Sequence, residues 1–314
     1  MLIFKPITID DKSIFDKYLV NYNFDTSEYS FANLIIWRKG CDVRYTIYDN
    51  VLIIKKKDFS DNYHFMQPIG YTKNNIKNII EKLIEYKEEN NMTYLFKDVE
   101  EKFLNDLKEI YGETLHSQPD INNFDYIYTA QKLITLSGKK LHSKKNHYNY
   151  FIKTYDYIIK DFYDTGVKTD IISAAKNWYE QKNNSNKYLE YELNGIKEIV
   201  SNMEKLNLKA MAVYVEDKIC AFTIGEKVSN NMAIIHIEKG NSSMRGIYTF
   251  TNKTFIENYF SDVLYINREQ DLGIEGLKKA KRSYHPIKMG EKYCVNIYLS
   301  QCCQCSSPLL QRGR

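Results

Sequence analysis

Late in the sequence, three strand-like apolar runs follow one another closely and leave little choice of topology. Residues 210–215 and 219–224 flank Glu216, Asp217 and Lys218, a turn signal, and residues 232–238 follow after a second polar break. Short β-rich runs joined by such turns pair as an antiparallel meander. A helix over 248–260, a strand over 263–267, a helix over 272–284 stopped by Pro286 and a last strand over 293–299 complete the pattern. Three helices precede the meander. One covers 140–155, one runs through Ile171, Ala175 and Trp178, and one through Leu189, Leu193, Ile196 and Val200.

The first half repeats this order more faintly. Residues 43–56 alternate around Asp49-Asn50, a hairpin signal, and 64–70 reads as a further short strand. Ile76, Ile79, Ile80, Leu83 and Ile84 line one face of a helix over 75–90, and Phe103, Leu104, Leu107 and Ile110 mark another ended at Gly112. Strands are expected at 93–96 and 124–128. Helices, meander, helix, strand, helix and strand occur in both halves, which is the order of a GNAT-type acyltransferase domain. The expected class is therefore α/β (α+β): two tandem GNAT-like domains, each a mixed, mostly antiparallel sheet flanked by helices, over residues 1–130 and 131–299.

At 314 residues the chain accommodates two such cores, and 43% hydrophobic residues suffice to fill them. A net charge of +4 does not by itself mark a nucleic-acid binder, so a charge argument needs a local cluster. No run approaches the roughly 20 apolar residues of a membrane span, and the opening residues do not read as a secretory signal. Cys41, Cys220 and Cys294 are too scattered for a disulfide framework, which suits a reducing cytoplasm. Cys302, Cys303 and Cys305 fall in an end, 300–314, whose composition breaks from the rest. That end is expected to be disordered or non-native, and no metal site is expected there or elsewhere.

Four segments could carry chemistry. Lys139, Lys140, Lys144 and Lys145, with His142 and His147, form a basic helix face able to hold phosphates, or a solvated face in a Lys-rich protein. Strand alternation puts His236 and Glu238 on one face, with Ile235 and Ile237 on the other, so an imidazole and a carboxylate could take a proton from a nucleophile. Arg245, Gly246 and Ile247 open a helix whose free amides suit an anion, although a full acetyl-CoA loop would hold more glycines. Arg268 to Asp271 follow a buried strand, where ligands of open α/β sheets gather; Arg268 could fork onto a carboxylate or phosphate, and Asp271 serves a site or caps a helix.

SFANLIIWR at 30–38, LSGKKLHSKKNHYNYF at 136–151, AIIHIEKGN at 233–241 and YINREQDLGIEGLKKAKRSYHPIKM at 265–289 together resemble a bacterial family similar to the C-terminal domain of phosphatidylglycerol lysyltransferases. The resemblance implies the tandem GNAT-like fold shared with Fem-type aminoacyltransferases. It implies an acyltransferase moving an aminoacyl group from aminoacyl-tRNA to an amine or hydroxyl, with tRNA as partner and a lipid or small molecule as acceptor. An acyl-CoA-dependent N-acyltransferase and a non-catalytic binding module are the alternatives. No tightly bound cofactor is expected; aminoacyl-tRNA or acyl-CoA would be the donor. The catalytic candidates are His236, Glu238, Arg268 and Asp271, and the donor-binding candidates Arg245, Gly246, Ile247, Lys140, Lys144 and Lys145. No transmembrane portion accompanies the domain in this sequence, which leaves a soluble acceptor open.

Overall fold

Asp49 and Asn50 both adopt left-handed backbone, with φ of 50° and 58°, and so turn one strand directly back on the next. This hairpin joins β2 and β3 of a computed structural model that describes residues 2–20, 22–181 and 187–298. The first part of the chain forms β1 (Lys5–Pro6), α1 (Lys12–Leu19), α2 (Phe31–Trp37), β2 (Arg44–Tyr48), β3 (Val51–Lys57), β4 (Tyr63–Phe65), α3 (Ile76–Glu89), β5 (Phe96–Val99), α4 (Glu101–Tyr111) and β6 (Leu115–Pro119). The rest forms β7 (Asp125–Thr129), α5 (Ala130–Thr135), α6 (His142–Thr154), β8 (Tyr157–Asp161), α7 (Val167–Gln181), α8 (Lys187–Ser201), α9 (Met203–Leu206), β9 (Lys209–Val215), β10 (Lys218–Lys227), β11 (Met232–Gly240), α10 (Ile247–Tyr259), β12 (Tyr265–Asn267), α11 (Glu275–Arg282), β13 (Lys288–Gly290) and β14 (Tyr293–Ile297).

Two mixed, mostly antiparallel sheets result, ordered β1-β2-β3-β4-β5-β14-β6 and β13-β7-β12-β11-β10-β9-β8. They do not divide the chain at residue 130. β7, from the first half, sits between β13 and β12 of the second sheet, and β14, from the end of the chain, fills the gap between β5 and β6 of the first. Val295 and Ile297 of β14 join the core of Ile79, Leu83, Phe96 and Leu107. Each half therefore needs a strand from the other, so the expected split into 1–130 and 131–299 does not describe how the sheets are built. The strand expected at 93–96 begins at Phe96 instead, and β6, α5 and β8 carry too little apolar periodicity to have been foreseen. The segment 300–314, with its three cysteines, lies outside the described residues.

Between the halves lies a charged seam. Lys292 is fully buried, with Nζ 2.8 Å from Asp125 Oδ1 and 3.2 Å from Glu28 Oε1. Glu28 also takes Lys56 at 2.5 Å, and Lys56 reaches Asp98 at 2.9 Å. Burial alone would lower the pKa of Lys56 and Lys292, but the surrounding carboxylates raise both above the usual lysine value. Buried charges persist only when paired in this way. The seam runs directly to the site described next.

Candidate functional site

The parallel pair β11/β12 ends early. Its last register partners are Ile234 and Asn267. Beyond them β11 runs on to Gly240 beside β10 alone, while the chain after Asn267 turns away through Arg268 and Glu269. The strands part at their C-terminal ends, where open α/β sheets place ligands. Two ion pairs bridge the gap. His236 Nδ1 lies 2.8 Å from Glu269 Oε1, and Arg268 Nη2 donates to Glu238 Oε1 at 2.8 Å.

The expected alternation of His236 and Glu238 fails here. Ile224 pairs with Ile237 and Gly225 with Ile235, so His236 is an extra residue on β11, a β-bulge. One extra residue inverts the phase of everything beyond it. Ile235 packs into the core beneath α10, whereas Ile237 joins Phe222 and Ile224 in the core toward α2. His236 thus lies on the α2 side, and Glu238, whose Oε2 accepts from Asn252 of α10 at 2.9 Å, lies on the other. Gly225 makes the bulge sterically feasible, since a Cβ there would stand 2.4 Å from the Ile234 carbonyl oxygen.

On the α2 side, the His236 ring is fully buried between two carboxylates, Glu226 at 2.9 Å on Nε2 and Glu269 on Nδ1. Ser30, the N-cap of α2, donates its hydroxyl to Glu226. Burial would push His236 down, but the two hydrogen-bonded carboxylates outweigh it and raise the pKa to about 9. At neutral pH the ring is an imidazolium with both nitrogens donating. It has no lone pair to offer, so the geometry assigns it to holding Glu226 and Glu269 rather than to taking a proton. A histidine whose pKa is raised on folding stabilises the protein fully below its unfolded value near 6.5, and that contribution is lost as pH rises through about 9. Unfolding free energy is accordingly expected to fall by up to about 3 kcal/mol between pH 6.5 and 9. Urea denaturation at a series of pH values measures this, and an identical slope in His236→Gln would refute it.

On the α10 side, Arg268 stacks over Tyr284, 4.8 Å from the ring centroid, and Lys144 Nζ lies 4.2 Å from the same centroid. Burial, with Arg268 nearby, lowers the Lys144 pKa to about 8. Lys144 therefore belongs to this site and not to an outward basic face with Lys140 and Lys145, both of which are exposed. Lys281 of α11 donates to the backbone oxygens of Arg268 and Glu269 and is also lowered to about 8, by burial and then Arg268. Among the described residues three buried polar atoms around Glu238 lack a hydrogen-bond partner: Arg268 Nη1, Asn252 Oδ1 and the Oγ1 of Thr223, which is the cross-strand partner of Glu238. Buried polar groups are normally satisfied, so this cluster marks a place for a ligand or water.

The other expected residues sit apart. Asp271 accepts from Tyr126 hydroxyl at 2.6 Å and from Gly273 N at 2.8 Å, which fixes the turn into α11. Gly246, at φ 93°, lets α6 pack directly on the start of α10, where a Cβ would stand 2.2 Å from the His147 carbonyl oxygen. Ile247 is buried behind it, and Arg245 lies exposed over Tyr150 at 4.6 Å. Neither joins the cluster around Glu238.

A cavity of about 70 Å³ opens beside the α2 side of the gap, reached by Gln270 and rimmed by Trp37, Phe59 and Tyr188. Asn33, 2% exposed, lines it with an Oδ1 that has no hydrogen-bond partner among the described residues. Across α8 a larger pocket of about 430 Å³ follows the end of β11, from Lys239 and Asn241 over a floor of Ala175, Leu193 and Ile196. Among the described residues no group of His, Cys, Asp and Glu is placed to hold a metal ion, and no helix is long and apolar enough to cross a membrane.

The same architecture occurs in a conserved protein of unknown function from Bacteroides thetaiotaomicron, 30% identical, with a TM-score of 0.85 over 95% of this chain and all of that one. The C-terminal domain of a putative lysylphosphatidylglycerol synthetase from Agrobacterium fabrum matches at a TM-score of 0.63 and 12% identity, over 92% of each chain. A tandem GNAT protein from the clavulanic acid biosynthesis pathway matches at 0.54 and 9% identity, over 95% of this chain and 98% of that one, which establishes the tandem GNAT-like fold. An uncharacterized protein of Mycoplasmoides gallisepticum is 27% identical over 201 residues, spanning 62% of this chain and 65% of that protein. The family described as phosphatidylglycerol lysyltransferase, C-terminal, matches residues 20–296, and this chain belongs to it.

Proposed function

We propose that this protein is an aminoacyltransferase that passes an aminoacyl group from an activated ester, that of aminoacyl-tRNA, to an amine or hydroxyl acceptor. The observation that carries the reading is the parted β11/β12 edge, where Arg268, Asn252 and Thr223 surround Glu238 with buried polar atoms that have no hydrogen-bond partner among the described residues. Attack on an ester builds negative charge on the carbonyl oxygen, and a fixed guanidinium N–H at a buried position stabilises that charge strongly. The neutral fraction of Lys144, which its pKa near 8 keeps as a minority at neutral pH, accepts the proton of the nucleophile and returns it to the ribose oxygen that leaves. Glu238 keeps Arg268 in place, while His236 fixes Glu226 and Glu269 across the gap.

Direct packing of α6 on the start of α10 leaves less room there for a pyrophosphate, which favours a tRNA-borne ester over acyl-CoA. The test offers the purified protein a pool of radiolabelled aminoacyl-tRNAs and, separately, acetyl-CoA, each with a boiled, protein-free cell extract as the source of amine and hydroxyl acceptors, and follows loss of each ester or thioester over the rate without the protein. Consumption of aminoacyl-tRNA alone is expected. Consumption of acetyl-CoA alone, or of neither, would reject the reading.

A further inference from the structure

A second charged pocket lies on the far face of the first sheet, against α3. Arg44 of β2 and Lys55 of β3 are direct register partners. Like charges directly opposite one another weaken a sheet unless something neutralises them. Asp42 does so for Arg44 only in part, since both its oxygens meet Nε at 3.0 Å while the two terminal nitrogens of the fork have no hydrogen bond among the described residues. Lys55 has no carboxylate within 4 Å among the described residues. Its Nζ donates to Tyr86 hydroxyl at 2.9 Å and sits 4.7–5.1 Å from the ring centroids of Tyr63, Tyr86 and Phe4. Such rings hold a cation without cancelling its charge.

Arg44, Lys55, Phe4, Tyr63, Tyr86 and Met92 line one pocket of about 260 Å³. Two under-neutralised cations converge at one side of it, and aromatic and thioether surface forms the other walls. The volume exceeds what an inorganic ion fills and approaches that of a phosphorylated ring compound. The neighbouring Lys56 points the opposite way, into the seam with Glu28 and Asp98, so β3 separates this pocket from the charges between the halves.

We propose that this pocket binds a phosphate monoester carried on a ring, of nucleoside monophosphate size, at a place separate from the parted β11/β12 edge. The phosphate oxygens take the free Arg44 fork and the two unused Lys55 protons. The ring lies against Tyr63, Phe4 and Met92. Nothing in this assignment depends on the transfer reaction.

Isothermal titration with adenosine 5′-monophosphate, adenosine and inorganic phosphate tests it on the whole chain. Saturable binding of the monophosphate is expected, with adenosine and inorganic phosphate each at least tenfold weaker. Lys55→Gln, which keeps a donor for Tyr86, and Arg44→Gln should each weaken the monophosphate at least tenfold while the melting temperature stays near that of the parent. No saturable binding at millimolar ligand, or equal affinity in both variants, overturns the proposal. Inorganic phosphate binding as well as the nucleotide overturns the assignment of a ring-bearing ligand. Loss of binding in Arg268→Lys with retention in Lys55→Gln would locate the ligand at the β11/β12 edge and overturn it as well.

Discussion

Lys292→Met is expected to destabilise the protein by about 3–5 kcal/mol, the cost of leaving buried carboxylates without their cation. Lys292 and Asp125 are both fully buried, and the same ammonium reaches Glu28 and Gln270. Asp125 Oδ2 meanwhile accepts from Ser27 N at 2.6 Å and Asn267 Nδ2 at 2.8 Å, so one pair ties the loop before α2, β7, β12 and the approach to β14 together. Because β7 and β14 are the exchanged strands, the loss should fall on both sheets at once. Urea denaturation followed by tyrosine fluorescence and by circular dichroism should show one shared, early transition. Adding Asp125→Asn removes the stranded charge and should recover part of the loss, giving a coupling energy of at least 1 kcal/mol between the two positions. A single variant within 1 kcal/mol of the parent would show that the seam does not hold the halves together.

Arg268→Ala is expected to lower transfer by 10²–10³-fold through kcat, the range seen when one donor to a developing oxyanion is removed. Among the described residues the guanidinium has Glu238 on Nη2 and no hydrogen-bond partner on Nη1, and it is pinned over Tyr284. Arg268→Lys keeps the charge but loses the fork, and should recover less than tenfold. A purely structural role would instead change melting temperature and leave kcat intact. Folded Arg268→Ala that turns over aminoacyl-tRNA at the parental rate would remove Arg268 from the reaction.

Much of the candidate site was legible because its members cluster in sequence. Arg268, Glu269 and Gln270 follow directly on β12, and His236 and Glu238 lie on β11, so the order of elements alone brought these two edges near each other. The role expected of His236 was not legible. Two carboxylates, one from β10 and one from beyond β12, raise its pKa, and neither spacing predicts their approach to the ring. Lys144 was read from the helical wheel as a surface cation; Tyr284, far away in sequence, draws it inward. Thr223 and Asn252 carry no motif, since an orphaned buried atom exists only once its neighbours are packed around it.

The sequence by itself determined the succession of helices and strands, because apolar period and turn residues act over a few positions. Asp49-Asn50 and Glu216-Asp217 reverse the chain as their left-handed backbone allows, and Ile76 to Ile84 bury one helix face regardless of what covers it. Tertiary structure alone decided which edges the strands complete and which way β11 faces past its bulge. Strand pairing satisfies backbone groups that every residue carries alike, so β14 entered the first sheet where an open edge and the core around Phe96 could receive Val295 and Ile297. The phase change at His236 likewise depends on Gly225 fitting against Ile234 and Phe255, a contact between elements that no local pattern encodes.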